Sequence, residues 1–80
     1  MLDNAQVSVL ECRARDAVLD RVRELIETKR VTAQQIARVQ KSFRAEHYCR
    51  IGRGEYDEFS LRRALLIAEG AKVKIDFQVA

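Results

Sequence analysis

The sequence predicts a mostly α-helical fold: a bundle of four to five helices that includes a helix-turn-helix and ends in a C-terminal β-strand used in dimerisation, with an N-terminal strand as a further option. Three observations carry this. Apolar residues recur every three to four positions through most of residues 11–70, the spacing of a helix face. The period falls to two over residues 73–79, the spacing of a half-buried strand. The 80 residues include three glycines and no proline, so little interrupts the helical segments. The chain reads as a single domain, residues 1–80, with a helical core at 11–70 and the strand at 71–80. A domain of this size buries only about 60% of its unfolded surface, so a stabilising partner is expected.

Taken in order, residues 5–10 alternate weakly, with Ala5, Val7 and Val9 on one face, and suit a short strand. A first helix is expected at about 13–29, with Ala14, Val18, Val22, Leu25 and Ile26 inward and Arg15, Asp16, Arg23, Glu24 and Glu27 outward. Thr32 and Gln35 form the T-x-x-Q capping box of a second helix, whose inner face is Ile36 and Val39. A third covers roughly 44–51, with Ser42 as its cap, and stops at Gly52 and Gly54. Ser60 caps a fourth, with Leu61, Ala64, Leu65 and Ala68 inward and Gly70 at its end. The terminal strand presents Val73, Ile75, Phe77 and Val79 on one face. A lone strand leaves its backbone groups unpaired, so it must pair with residues 5–10, with its copy in a second subunit, or with both. Pairing across a dimer is the favoured arrangement.

Charge narrows the function. Residues 1–30 carry six acids and six bases, and residues 56–80 four of each, whereas residues 31–55 carry five bases against two acids. The formal charge of +3 therefore sits on the second and third helices. A basic helix pair on an otherwise neutral domain points to the phosphates of double-stranded DNA. On a helical wheel, Ala45, Tyr48, Ile51 and Gly52 of the third helix face inward, while Glu46, His47, Arg50 and Arg53 share the outer arc. Arg44 and Arg50 are the expected readers of base edges.

Other classes find little support. The start of the chain lacks a signal peptide's basic end and apolar run, and no apolar stretch reaches about 18 residues, so a cytoplasmic chain without membrane contact is expected. Cys12 and Cys49 form no CxxC pair and read as reduced, buried, small hydrophobes. His47 and Cys49 diverge by about 200° on a helix and cannot share a metal ion. No cofactor, metal or enzymatic activity is expected. Phe43, Tyr48 and Tyr56 have the spacing of core residues rather than of a base-stacking platform.

From Val31 onward the residue order resembles the Cro/repressor-like helix-turn-helix family (xenobiotic-response-element type), closest to a short branch that includes antitoxin-type regulators. The parts that carry the resemblance are Val31-Thr32, Arg53-Gly54, Asp57-Glu58-Phe59-Ser60-Leu61 and the Ala71-Lys72-Val73-Lys74-Ile75-Asp76-Phe77 tail. The resemblance implies that Thr32 and Gln34 meet phosphate at the start of the second helix. It places Lys41, Ser42, Arg44, Ala45, His47 and Arg50 at the turn and in the groove, with Arg53 near the backbone. It also implies a homodimer joined through Val73, Ile75, Phe77 and Val79, acting as a repressor or an autoregulating antitoxin. Three departures stand out: Ala33 replaces a Gln, the turn Gln40-Lys41-Ser42-Phe43 lacks glycine and is one residue longer, and Glu46 places an acid on the reading face. They motivate an alternative, a protein-interaction module that reuses the helical shell to bind a toxin or another protein, as a toxin-neutralising or phage-encoded inhibitor would.

Overall fold

The structure, a computed structural model, describes residues 3–73. Within them lie four α-helices: α1 (Asn4–Glu27), α2 (Ala33–Val39), α3 (Ala45–Gly52) and α4 (Leu61–Gly70). No strand is present among the described residues. The expected terminal strand falls, beyond Val73, outside them, and so do Ile75, Phe77 and Val79.

The expected strand at residues 5–10 is instead the first part of α1, which begins nine residues earlier than the apolar pattern suggested. The cause is local. The Asp3 carboxylate accepts the Gln6 amide at 2.8 Å while the Gln6 side chain accepts the Asp3 amide at 3.0 Å. This capping box satisfies two free donors and starts the helix at Asn4. A helix also pairs the backbone of this segment internally, which an isolated strand could not do. At about 1.5 Å per residue the 24 residues of α1 span about 36 Å, close to the molecule's longest extent of 41 Å.

α4 packs against α1 and α2, while α3 packs against α1. The core joins Val18, Leu19 and Val22 of α1 to Val31, Ile36, Phe43, Ile51, Tyr56, Phe59, Ala64, Ile67, Ala68 and Ala71. Ile67, absent from the expected α4 stripe, is fully buried, whereas Leu61 and Leu65 are only partly so. Val39 was expected inward and is 53% exposed. It lines an open groove beside the end of α4 rather than entering the core. Arg15 and Arg23, expected on the outer face of α1, instead reach across the fold. Arg15 donates to the Phe59 carbonyl at 3.3 Å and Arg23 to the Gly52 carbonyl at 3.1 Å.

The Thr32–Gln35 capping box and the Ser60 cap are present as expected. Three helices end in the same way. Arg30 donates to the Leu25 carbonyl, Glu55 to Arg50 and Val73 to Ala68, at 2.8–2.9 Å. Each bond closes a Schellman motif over a left-handed residue: Lys29 (φ 58°), Gly54 (φ 79°) and Lys72 (φ 59°). Glycine adopts that conformation freely and lysine does so at a cost. At Gly70 the constraint is space rather than dihedral angle, since an added Cβ would lie 3.0 Å from the Ile36 carbonyl oxygen and 3.1 Å from its Cα.

Two substitutions separate these effects in urea unfolding. Gly70→Ala forces the backbones of α2 and α4 apart and lowers stability by about 1–3 kcal/mol. Lys29→Gly relieves the left-handed strain and raises stability by up to about 1 kcal/mol.

Candidate nucleic-acid interface

The basic segment folds as α2, a connection of residues 40–44, and α3. The connection contains no positive φ, so it avoids the left-handed conformation that a turn glycine would normally supply. Phe43 makes this possible by plugging into the core, while the Gln40 amide side chain donates to Ser42 Oγ at 3.0 Å. Ser42 is therefore part of the turn. The cap of α3 is Arg44, whose backbone N–H donates to His47 Nδ1 at 3.0 Å.

That bond redefines His47. The ring was expected on the outer arc of α3, but its side chain is only 11% exposed. It lies between Phe43 and Phe59, with ring centroids 5.8 and 5.9 Å away. Its Nε2 lies 3.9 Å from Glu58 Oε1 and 4.0 Å from Glu46 Oε1. Arg63 Nη2 lies 3.3 Å from Nε2, and its guanidinium carbon sits 5.7 Å from the Phe59 ring centroid. The Arg63 Nε is buried without a hydrogen-bond partner among the described residues.

Arg50 is also engaged. It donates to the Glu58 carboxylate, and not to Glu46 one turn earlier on its own helix. The Arg50 hydrogen bond holds the Glu58 carboxyl below the ordinary glutamate range, with smaller help from nearby His47 and Arg63, and Glu58 in turn raises Arg50. Arg53 pairs with Glu55 at 3.2 Å on the surface. Of the five bases in residues 31–55, Arg38, Lys41 and Arg44 are thus the ones without a carboxylate partner among the described residues. All three are exposed, Arg38 in the last turn of α2 and Lys41 and Arg44 in the connection itself.

The outward face of α3 presents Arg44, Ala45, Glu46, Cys49 and, partly, Arg50, while Tyr48 and Ile51 turn inward. Ala45 was expected inward by the wheel, but at the first position of the helix it stands clear of the core. Cys12 and Cys49 are both exposed, which corrects the expectation of buried thiols. The core needs neither, because Leu19 and Ile51 already fill the inward positions of their helices. Thr32 and Gln34 are exposed at the start of α2, though the Thr32 hydroxyl already accepts the Gln35 amide at 3.2 Å.

Sequence reasoning missed Arg38, whose position in the last turn of α2 was the available signal, and Glu58 and Arg63, which meet α3 only through the fold. No group of three or more potential metal ligands exists among the described residues. No helix among them is long and apolar enough to cross a membrane. Comparison with known protein families, curated proteins and solved structures gives no match for this chain.

The Arg50–Glu58 pair can be read directly by titration. Stability contributed by the ionised Glu58 is present above the ordinary glutamate range and is lost as pH falls through its depressed folded-state value. NMR titration of the Glu58 side chain should give a midpoint below that of an unpaired glutamate. In Arg50→Gln the midpoint should rise toward the ordinary value; an unchanged midpoint would show that the pair does not form in solution.

Proposed function

We propose that this chain is a sequence-specific double-stranded DNA-binding regulator of transcription, acting as a homodimeric repressor or an antitoxin-like autoregulator, with α2 and α3 serving as its helix-turn-helix. The observation that carries the reading is the cluster of Arg38, Lys41 and Arg44, exposed and free of carboxylate partners among the described residues, at the entry to a short helix with an exposed outer face. Cations in this position meet phosphate and orient the helix that follows them toward base edges.

The roles divide by exposure. Arg38 and Lys41 hold phosphates, with Thr32, Gln34 and Ser42 as polar neighbours. Arg44, Ala45 and Cys49 face the bases, since arginine suits guanine and small side chains suit a thymine methyl. Arg50 reads DNA only by leaving Glu58, so Glu58 sets whether that arginine is available. His47 shapes the start of α3 from behind and does not itself contact DNA. Two copies place their α3 helices about one helical turn apart, roughly 34 Å, on a pseudo-palindromic site.

A second reading, a protein-interaction module that binds a toxin or another protein, is favoured by one feature. A groove of about 400 Å³ lies between α2 and the end of α4, with Leu25, Val31, Val39 and Ala71 in its lining and Arg30, Arg38 and Lys72 among its charged residues. An acidic amphipathic segment would suit it.

Fluorescence anisotropy with labelled duplex from the promoter of its own gene, against scrambled duplex, over about 50–300 mM salt, separates the readings. Specific binding should fall steeply with salt. Arg44→Ala should cost about 1–3 kcal/mol, and Lys41→Ala should reduce the salt slope by about one. If Arg44→Ala binds as tightly as the parent, α3 is not the reading helix. Absent or sequence-blind binding would favour the protein-interaction module.

A further inference from the structure

The first half of α1 lies outside the core. No residue of the helix before Val18 is buried, and Val7 and Leu10 are 40% and 48% exposed. Beside the buried face, one outward stripe follows the alternating four- and three-residue steps of a helix-pairing seam: Asp3, Val7, Leu10, Ala14, Ala17 and Arg21. Along the helix this order runs from an acid through two large apolar residues and two alanines to a base. Reversed, it is its own complement.

We propose that this stripe is a homodimer interface, in which two copies of α1 pack antiparallel about a two-fold axis level with Cys12. In that register Leu10 of each chain meets Ala14 of the other, Val7 meets Ala17, and Asp3 meets Arg21. Each large side chain faces a small one, so the layers fill without voids and the helices approach closely. Both ends of the seam close with an ion pair. Arg21 can serve, since its side chain is 67% exposed and its pairing with Glu24, at 3.9 Å, is long and open to solvent. Asp3 spends one carboxylate oxygen on the Gln6 amide and keeps the other. Cys12 sits at the axis but on the far side of the helix, so no disulfide joins the pair. Arg13 meets its own copy only at the wet rim, where salt screens the repulsion. The seam is short and buries on the order of 1,000 Å² in total, the size of a weak or transient interface, so the dimer is reversible. The seam lies on α1 and uses none of the residues assigned to DNA contact, so the dimer is tested without DNA and stands or falls apart from base reading.

Sedimentation equilibrium of the full chain from about 5 to 500 µM tests it. The parent should show a reversible monomer–dimer equilibrium. Leu10→Glu, which places a charge in two symmetry-related layers, should raise the dissociation constant at least about thirtyfold. Arg21→Glu should weaken the dimer several-fold by facing Asp3 with an acid. Asp3→Asn, which keeps the helix cap, should recover part of that loss when added to Arg21→Glu. Asp3 and Arg21 are about 27 Å apart along one helix, so coupling between them can arise only across two chains. Circular dichroism confirms that each variant is folded. A parent that stays monomeric throughout, a dimer indifferent to Leu10→Glu, or an Asp3→Asn change that recovers nothing would each overturn the proposal.

Discussion

Helices of seven and eight residues do not persist in water, because nucleating a turn costs more than so few hydrogen bonds return. α2 and α3 have these lengths, so both exist only while their apolar sides are held against the longer helices. Each contributes one fully buried anchor, Ile36 and Ile51 respectively, and Phe43 pins the connection between them. The anchors can be few because α4 comes very close: Gly70 lies where a methyl group would press on the Ile36 backbone. The exposed face of the helix pair is thus what remains after three side chains have been committed to the core. Whatever binds that face meets a surface whose orientation is fixed by packing elsewhere.

Polar contacts across the fold complete the positioning. Arg15 and Arg23 leave the outer face of α1 to satisfy the carbonyls of Phe59 and Gly52, at the two ends of the α3–α4 connection. Tyr56 in the same connection donates to Asp20 at 2.7 Å, and burial together with that carboxylate raises its phenol well above the usual range. Glu58 then takes Arg50. The consequence for function is a redistribution of charge. Of the surplus spread over residues 31–55, Arg38, Lys41 and Arg44 stay exposed without a carboxylate partner among the described residues, while Arg50 and Arg53 are paired with Glu58 and Glu55.

Local signals in the sequence were legible where chemistry is local. The caps at Thr32 and Ser60, the stop at Gly54, and the inward positions of Ile36, Ile51, Ala64 and Ala68 all follow from spacing and cap geometry. Errors arose where two local signals competed. The alternation of Ala5, Val7 and Val9 looked like a strand, yet the Asp3–Gln6 capping box outweighed it. His47 and Val39 were misplaced by wheels that assumed ideal helices with known ends. His47 is drawn inward because its Nδ1 accepts the Arg44 amide and its ring packs between Phe43 and Phe59, while Val39 lines an open groove beside the end of α4.

The sequence by itself determined the helical class, most element ends and the location of the basic segment, because these depend on neighbours within about one helical turn. The tertiary structure alone decided which of those cations are free. Arg50 and Glu58 are eight positions apart, and His47 and Arg63 sixteen, so no spacing rule joins them. They meet because the α3–α4 connection is drawn back over α3 by the burial of Tyr56 and Phe59. Side-chain contact at that range is a product of packing, and packing is what a linear pattern does not encode.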